Sequence, residues 1–158
     1  MFCQEQLELH RNIHKKTPHI PVFHIDSTGS IIRQQQKRIL LYSVVAHVPI
    51  KGIKALPLLE WLSDSHDMAN IGNTLRFWLS KCQRLLVKPE IIVSDMSWAI
   101  LNGTSFAFNG LSMKEQLNRQ WQFMCGDPCD ITILRLCANH MMHLVARKAH
   151  QFIMSKKV

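Results

Sequence analysis

The sequence predicts an α/β fold: a mixed five-stranded sheet, made of a three-strand antiparallel meander plus two parallel strands, flanked by helices. Three observations lead there. Short runs of apolar and β-branched residues recur at Val22–Ile25, Ile39–Val48, Ile91–Val93 and Ile131–Leu136. Between the later runs, apolar residues recur at helical spacing. Two of the runs, Val22–Ile25 and Ile91–Val93, are followed closely by an aspartate, Asp26 and Asp95.

Residues 1–19 read as a peripheral segment, and residues 20–158 as the core. Leu7, Leu9 and Ile13 form a weak helical pattern that Thr17-Pro18 ends. His10 and His14 stand four apart, the spacing of a metal pair, with nothing nearby to complete a site. A strand then ends at Asp26, and Ser27-Thr28-Gly29-Ser30 turns the chain into a second strand, Ser30 to about Gln34. The basic turn Gln35–Arg38 reads as a soluble hairpin tip. Ile39–Val48 is the third strand, and short connections make the three a meander.

Pro49–Gly52 breaks the run. Ala55, Leu58, Leu59 and Leu62 then predict a helix, Ser63–Asn73 a loop around Gly72, and Leu75–Leu86 a second helix. Trp61 and Trp78 read as packing residues. The continuous run Ile91-Ile92-Val93 marks a strand covered on both faces, parallel to the first through a right-handed crossover. Ser97 is the expected cap of the helix that follows. Asn102-Gly103 and Asn109-Gly110 are turn signals, and Ser112 with Glu115 is a capping box. A fifth strand, Ile131–Leu136, leads into a helical tail.

The chain has 158 residues, 47% of them hydrophobic, which suffices for one domain with a real core. Its formal charge of +8, with a pI near 9.5, favours a polyanionic partner, nucleic acid first and an anionic membrane surface second. No apolar run approaches the roughly 18 residues of a membrane span. The five cysteines are odd in number, and Gln4, Glu5 and Glu8 interrupt the opening residues where a signal peptide would be apolar. A reducing intracellular compartment is the expectation.

The order β-β-β-α-β-α-β sets strands one and four side by side at the sheet centre. Asp26 and Asp95 then project from the same sheet edge, where open α/β sheets bind ligands. Paired carboxylates in a cationic protein suit Mg²⁺ or Mn²⁺, hard ions that leave positions open for phosphate. The alternative for Asp26 is a turn cap made by its own side chain.

The residues FHIDSTGSI, IIVSDMSWAILNG and ILRLCANHMMHLV resemble the catalytic core of ribonuclease H-like DDE transposases, nearest the Mutator-like (MULE) group and more distantly the hAT group. The resemblance covers about residues 20–150. It implies a ribonuclease H-like fold, Asp26 and Asp95 as catalytic, metal-holding acids, Ala99 after the second acid, and Cys137-x-x-His140 beyond the fifth strand. It implies DNA as partner, cut-and-paste transposition and a nuclear location; a homo-oligomer, no membrane and no small-molecule substrate are the further partner expectations, with the oligomeric state left open. Cys137, His140, Arg135 and Arg33 would support the site or contact nucleic acid, with Lys37, His143 and Arg147 further candidates for such roles.

One departure stands out. The family's third acid, a Glu, lies downstream of Cys-x-x-His, yet no Asp or Glu follows Asp130. The chain thus reads as truncated before that acid, or as a decayed or domesticated remnant without strand transfer of its own. Glu60, on the predicted first helix, is a candidate substitute, since ribonuclease H carries an acid on that helix. Two other readings stay open: a non-catalytic nucleic-acid-binding module, and a zinc-stabilised domain using Cys125, Cys129, Cys137 and His140.

Overall fold

A computed structural model describes residues 2–29 and 39–155. The chain is α/β, with the element order α1 (Gln4–Lys16), β1 (Val22–Gly29), β2 (Leu40–Ile50), β3 (Ile53–Ser63), α2 (Met68–Cys82), β4 (Ile91–Ser94), α3 (Trp98–Asn109), α4 (Met113–Met124), β5 (Ile133–Leu136) and α5 (Ala138–Ser155). The five strands form one mixed sheet in the order β3-β2-β1-β4-β5. β1, β2 and β3 are antiparallel neighbours, while β4 runs parallel to both β1 and β5.

The sheet has two different faces because its strands alternate. Phe23 and Ile25 of β1, with Tyr42, Val44 and Ala46 of β2, are buried in one cluster. Helices α1, α2 and α3 bring Leu7, Ile13, Ile71, Leu75, Trp78 and Ile100 to that cluster. On β1 the residues between, His24 and Asp26, face the other way and are exposed. Burial on one side therefore aims the acid at the other.

Several elements differ from the sequence reading. The expected helix at Ala55–Leu62 is strand β3. Pro57 decides this, because within a helix it would remove a hydrogen bond and clash with the preceding turn. In the sheet it is tolerated: β3 is an edge strand, and the register slips around Pro57, from Val44↔Leu59 to Val45↔Pro57. Lys51-Gly52 is the hairpin turn between β2 and β3, with Gly52 at φ 93°, a conformation that side chains with a Cβ resist. The strand expected at Ser30–Gln34 lies outside the described residues. β1 does not stop at Asp26; Ser27, Thr28 and Gly29 continue the pairing with β2.

Helix α2 begins at Met68, inside the expected loop, with Asp67 accepting a hydrogen bond from the Asn70 amide as its cap. It ends at Cys82, so Leu85 and Leu86 lie beyond it. Gly72 and Gly103, read as loop and turn signals, are both inside helices. They meet where α2 crosses α3: a Cβ on Gly103 would lie 3.1 Å from the Gly72 backbone nitrogen. Ser97 caps α3, and Ser112 with Glu115 forms the expected capping box on α4. The segment read as peripheral sends Leu7, His10 and Ile13 of α1 into the protein, whereas Leu9 is exposed.

Side-chain amides finish the β5 edge. Gln120 accepts from the Leu134 amide at 2.7 Å and donates to the Leu134 carbonyl at 3.3 Å. Asn109 likewise accepts from the Thr132 amide and donates to its carbonyl, both at 2.8 Å. Each amide group imitates a neighbouring strand, satisfying edge groups that would otherwise invite another chain.

Candidate functional site

The register of the two central strands brings the acids together. Ile25 pairs with Ser94, so Asp26 and Asp95 are the next residues along adjacent parallel chains. Ser94 in turn pairs with Leu136, and the Cys137 amide donates to the Ser94 carbonyl at 2.7 Å. Asp26, Asp95 and Cys137 therefore stand at one level across β1, β4 and β5. They line a pocket of about 340 Å³ together with His24, His47 and His140.

The two acids are held differently. Asp26 is exposed and lies within β1, where β2 pairs with it through Ser43. Asp95 is half-buried and lies one residue past the end of β4. Each carboxylate accepts from a backbone N–H: Asp26 Oδ1 from Ser27 at 2.8 Å, and Asp95 Oδ1 from Ser97 at 3.2 Å. Among the described residues these bonds fall on Oδ1 of each acid, which leaves Oδ2 for a ligand. This donor set fits a hard divalent cation, because Mg²⁺ is commonly held by one or two carboxylates with water and phosphate completing its shell. Among the described residues, no three His, Cys, Asp or Glu side chains are grouped to hold a metal ion.

The other expected residues scatter. His140 lines the central pocket and, with His143, Arg147 and Asp95, a second cleft of about 560 Å³ beside α5. Arg135 lines a separate apolar groove with Trp98 and Leu117. Arg33 and Lys37 lie outside the described residues. Cys125 is exposed at the end of α4 and is not gathered with Cys129, Cys137 and His140 into a metal-binding group. Glu60 is on strand β3, not on a helix. It pairs with Ser43, whose Oγ donates to Glu60 Oε1 at 3.4 Å, and Ser43 pairs with Asp26. That places Glu60 two strands from Asp26, roughly 10 Å by sheet spacing.

The sequence reading missed His24, His47 and His66. His24 was detectable: it precedes Asp26 by two residues, so in a strand it shares that face. Desolvation first, and His47 second, push its imidazole below the ordinary range. His47 and His66 had no such local signal, because only sheet pairing and loop packing bring them near the acids.

No protein-family model matches the chain. It is similar to the 120.7 kDa protein in NOF-FB transposable element of Drosophila melanogaster, being 31% identical over 141 residues. The match takes in 78% of this chain and 12% of that protein, so the chain spans a small part of the relative's length. The likeness supports a transposon-derived origin. Among the described residues no helix is long and apolar enough to cross a membrane.

Proposed function

We propose that this transposon-derived chain is part of a ribonuclease H-like DDE transposase core of Mutator-like type, whose acidic pair serves metal-dependent cleavage and transfer of DNA strands. The observation that carries the reading is the placement of Asp26 and Asp95 at the same level of adjacent parallel strands, lining one pocket. The strand order β3-β2-β1-β4-β5, with three antiparallel strands followed by two parallel ones, supports it as the arrangement the resemblance implies. So does the likeness to a transposable-element protein.

Asp26 and Asp95 would hold Mg²⁺ or Mn²⁺ through their carboxylate oxygens, and the ion would supply charge stabilisation to the phosphodiester oxygens. The Ser27 and Ser97 amides keep the two carboxylates oriented. His140, His143 and Arg147 offer donors to phosphate beside Asp95, and the +8 net charge draws in DNA. Self-association and a nuclear location belong to this same reading.

Two acids are fewer than the resemblance requires, and Glu60 lies across β2 from Asp26. The 158-residue chain therefore binds a divalent cation without completing strand transfer. Calorimetric titration with Mn²⁺ tests the first part, with heat of binding expected for the native chain and lost in Asp26→Asn. Metal-dependent nicking of plasmid DNA by the native chain would refute the second part. A non-catalytic DNA-binding role is the second reading, favoured by the cleft along α5, where His140, His143 and Arg147 offer donors to phosphate. It predicts DNA affinity unchanged in Asp26→Asn and equal with or without divalent ion.

A further inference from the structure

Asp95 is the less securely held of the two acids. β4 ends at Ser94, so pairing with β1 does not hold the Asp95 backbone. Its carboxylate depends on the Ser97 amide, and Ser97 is itself the N-cap of α3, accepting from the Ile100 amide at 3.4 Å. A second support reaches Ser97 from the connection that follows the edge strand β3. His66, in the loop between β3 and α2, bonds through Nε2 to Ser97 Oγ at 2.9 Å and through Nδ1 to the Tyr42 hydroxyl at 2.6 Å.

The anchor of this chain is rigid. Tyr42 is fully buried in β2, its ring stacked on Trp61 with centroids 4.7 Å apart and planes 9° from parallel. Burial first, then Asp67 and Asp95, push its phenol above the ordinary range, so the hydroxyl keeps its proton. Tyr42 pairs with Ser27, the neighbour of Asp26, across β1 and β2. The strand that holds one acid thus also holds, through Tyr42, His66 and Ser97, the loop that carries the other. His66 and Asp95 border a shared cavity of about 370 Å³ with Ser27 and Asp64.

We propose that His66 is a positioning residue: it ties the Asp95–Ser97 loop to β2 and so sets the separation and orientation of Asp95 relative to Asp26. This rests on the reading of the acids as a cation-holding pair. The imidazole suits the role because its two nitrogens point apart and reach two hydroxyls at once. Support of this kind around metal ligands commonly governs affinity by 10- to 100-fold.

The test uses the full chain in native, His66→Phe and His66→Gln forms, with Mn²⁺ as the probe and thermal unfolding as the control. Glutamine retains an amide that reaches the Ser97 hydroxyl, whereas phenylalanine keeps the ring without its nitrogens. The expected result is about tenfold or greater weakening of Mn²⁺ binding in His66→Phe and a smaller weakening in His66→Gln, which keeps the bond to Ser97 but not the one to Tyr42. Phe and Gln variants of equal melting temperature separate this effect from general destabilisation. Native-like Mn²⁺ affinity in His66→Phe overturns the proposal and leaves the acid-pair reading intact. If the native chain binds no Mn²⁺, the acid-pair reading fails, and amide hydrogen exchange at Ser97 judges His66 alone. Exchange at least tenfold faster in His66→Phe than in the native and Gln forms then supports the tether, and equal exchange in all three overturns it.

Discussion

His10 has no exposed surface, and neither ring nitrogen has a hydrogen-bond partner among the described residues. Its ring meets Phe23 at 5.6 Å and His19 at 6.3 Å between centroids. Burial, then the proximity of His19 and His14, lowers its pKa from 6.5 to about 4. The folded value lies below the unfolded one, so the unfolded chain binds the extra proton. The stability this neutral histidine contributes is complete above pH 6.5 and is lost as the pH falls towards 4. At pH 5 the loss from this group is about 2 kcal/mol. Urea unfolding at pH 7 and pH 5 should show that decline, and His10→Leu should remove most of it, since leucine has nothing to protonate. The same residue shows where local reading stops. His10 and His14 suggested a metal pair by spacing alone, whereas in the fold His10 packs as a core side chain against Phe23.

At the scale of elements, the crossing of α2 and α3 depends on two glycines. A Cβ at Gly103 would lie 3.0 Å from the Ile71 side chain and 3.1 Å from the Gly72 backbone. The backbone contact gives way only if the helices separate. Gly103→Ala is expected to cost about 1–3 kcal/mol, more than the helix propensity it gains. At Gly72 the nearest atom, 3.0 Å away, belongs to the Phe106 ring, which can turn aside. Gly72→Ala should be the milder change, and thermal unfolding of the two variants checks the ranking. The β5 edge makes a second prediction. Gln116 is fully buried and donates to the Thr132 carbonyl and to Gln120. Gln116→Leu removes both bonds, leaving the Thr132 carbonyl to Asn109 and the Gln120 oxygen to the Leu134 amide, and should cost about 1–3 kcal/mol by denaturant unfolding. Turn residues misled the sequence reading at Gly72 and Gly103 for the same reason: a glycine signals a turn or a close approach, and only the partner helix tells which. The helix expected at Ala55–Leu62 failed because apolar spacing alone outweighed Pro57, although proline is the stronger signal within eight residues.

Across the whole molecule, charge and acids work at different ranges. The +8 net charge is felt by any polyanion, while Asp26 and Asp95 line one pocket. DNA binding by the native chain should weaken steeply as salt rises, because each neutralised phosphate releases counterions. Arg147→Ala, in the cleft beside Asp95, should reduce the magnitude of the log-affinity against log-salt slope by about one. Fluorescence anisotropy of a labelled oligonucleotide at several salt concentrations measures it, and an unchanged slope removes Arg147 from the contact set.

The amino-acid order alone determined the α/β class, the strands at Val22–Ile25, Ile39–Val48 and Ile91–Val93, and the caps at Ser97 and Ser112. Those features are local: alternation, β-branching and capping act within a few residues of the chain. Tertiary structure decided the rest. It turned Ala55–Leu62 into an edge strand, put Glu60 across β2 from Asp26, drew His24 and His47 into the pocket, and set His66 between Tyr42 and Ser97. These outcomes depend on which strands pair and in what register. Residues far apart in sequence meet only after the chain has closed, when burial of one sheet face has dictated what the other presents.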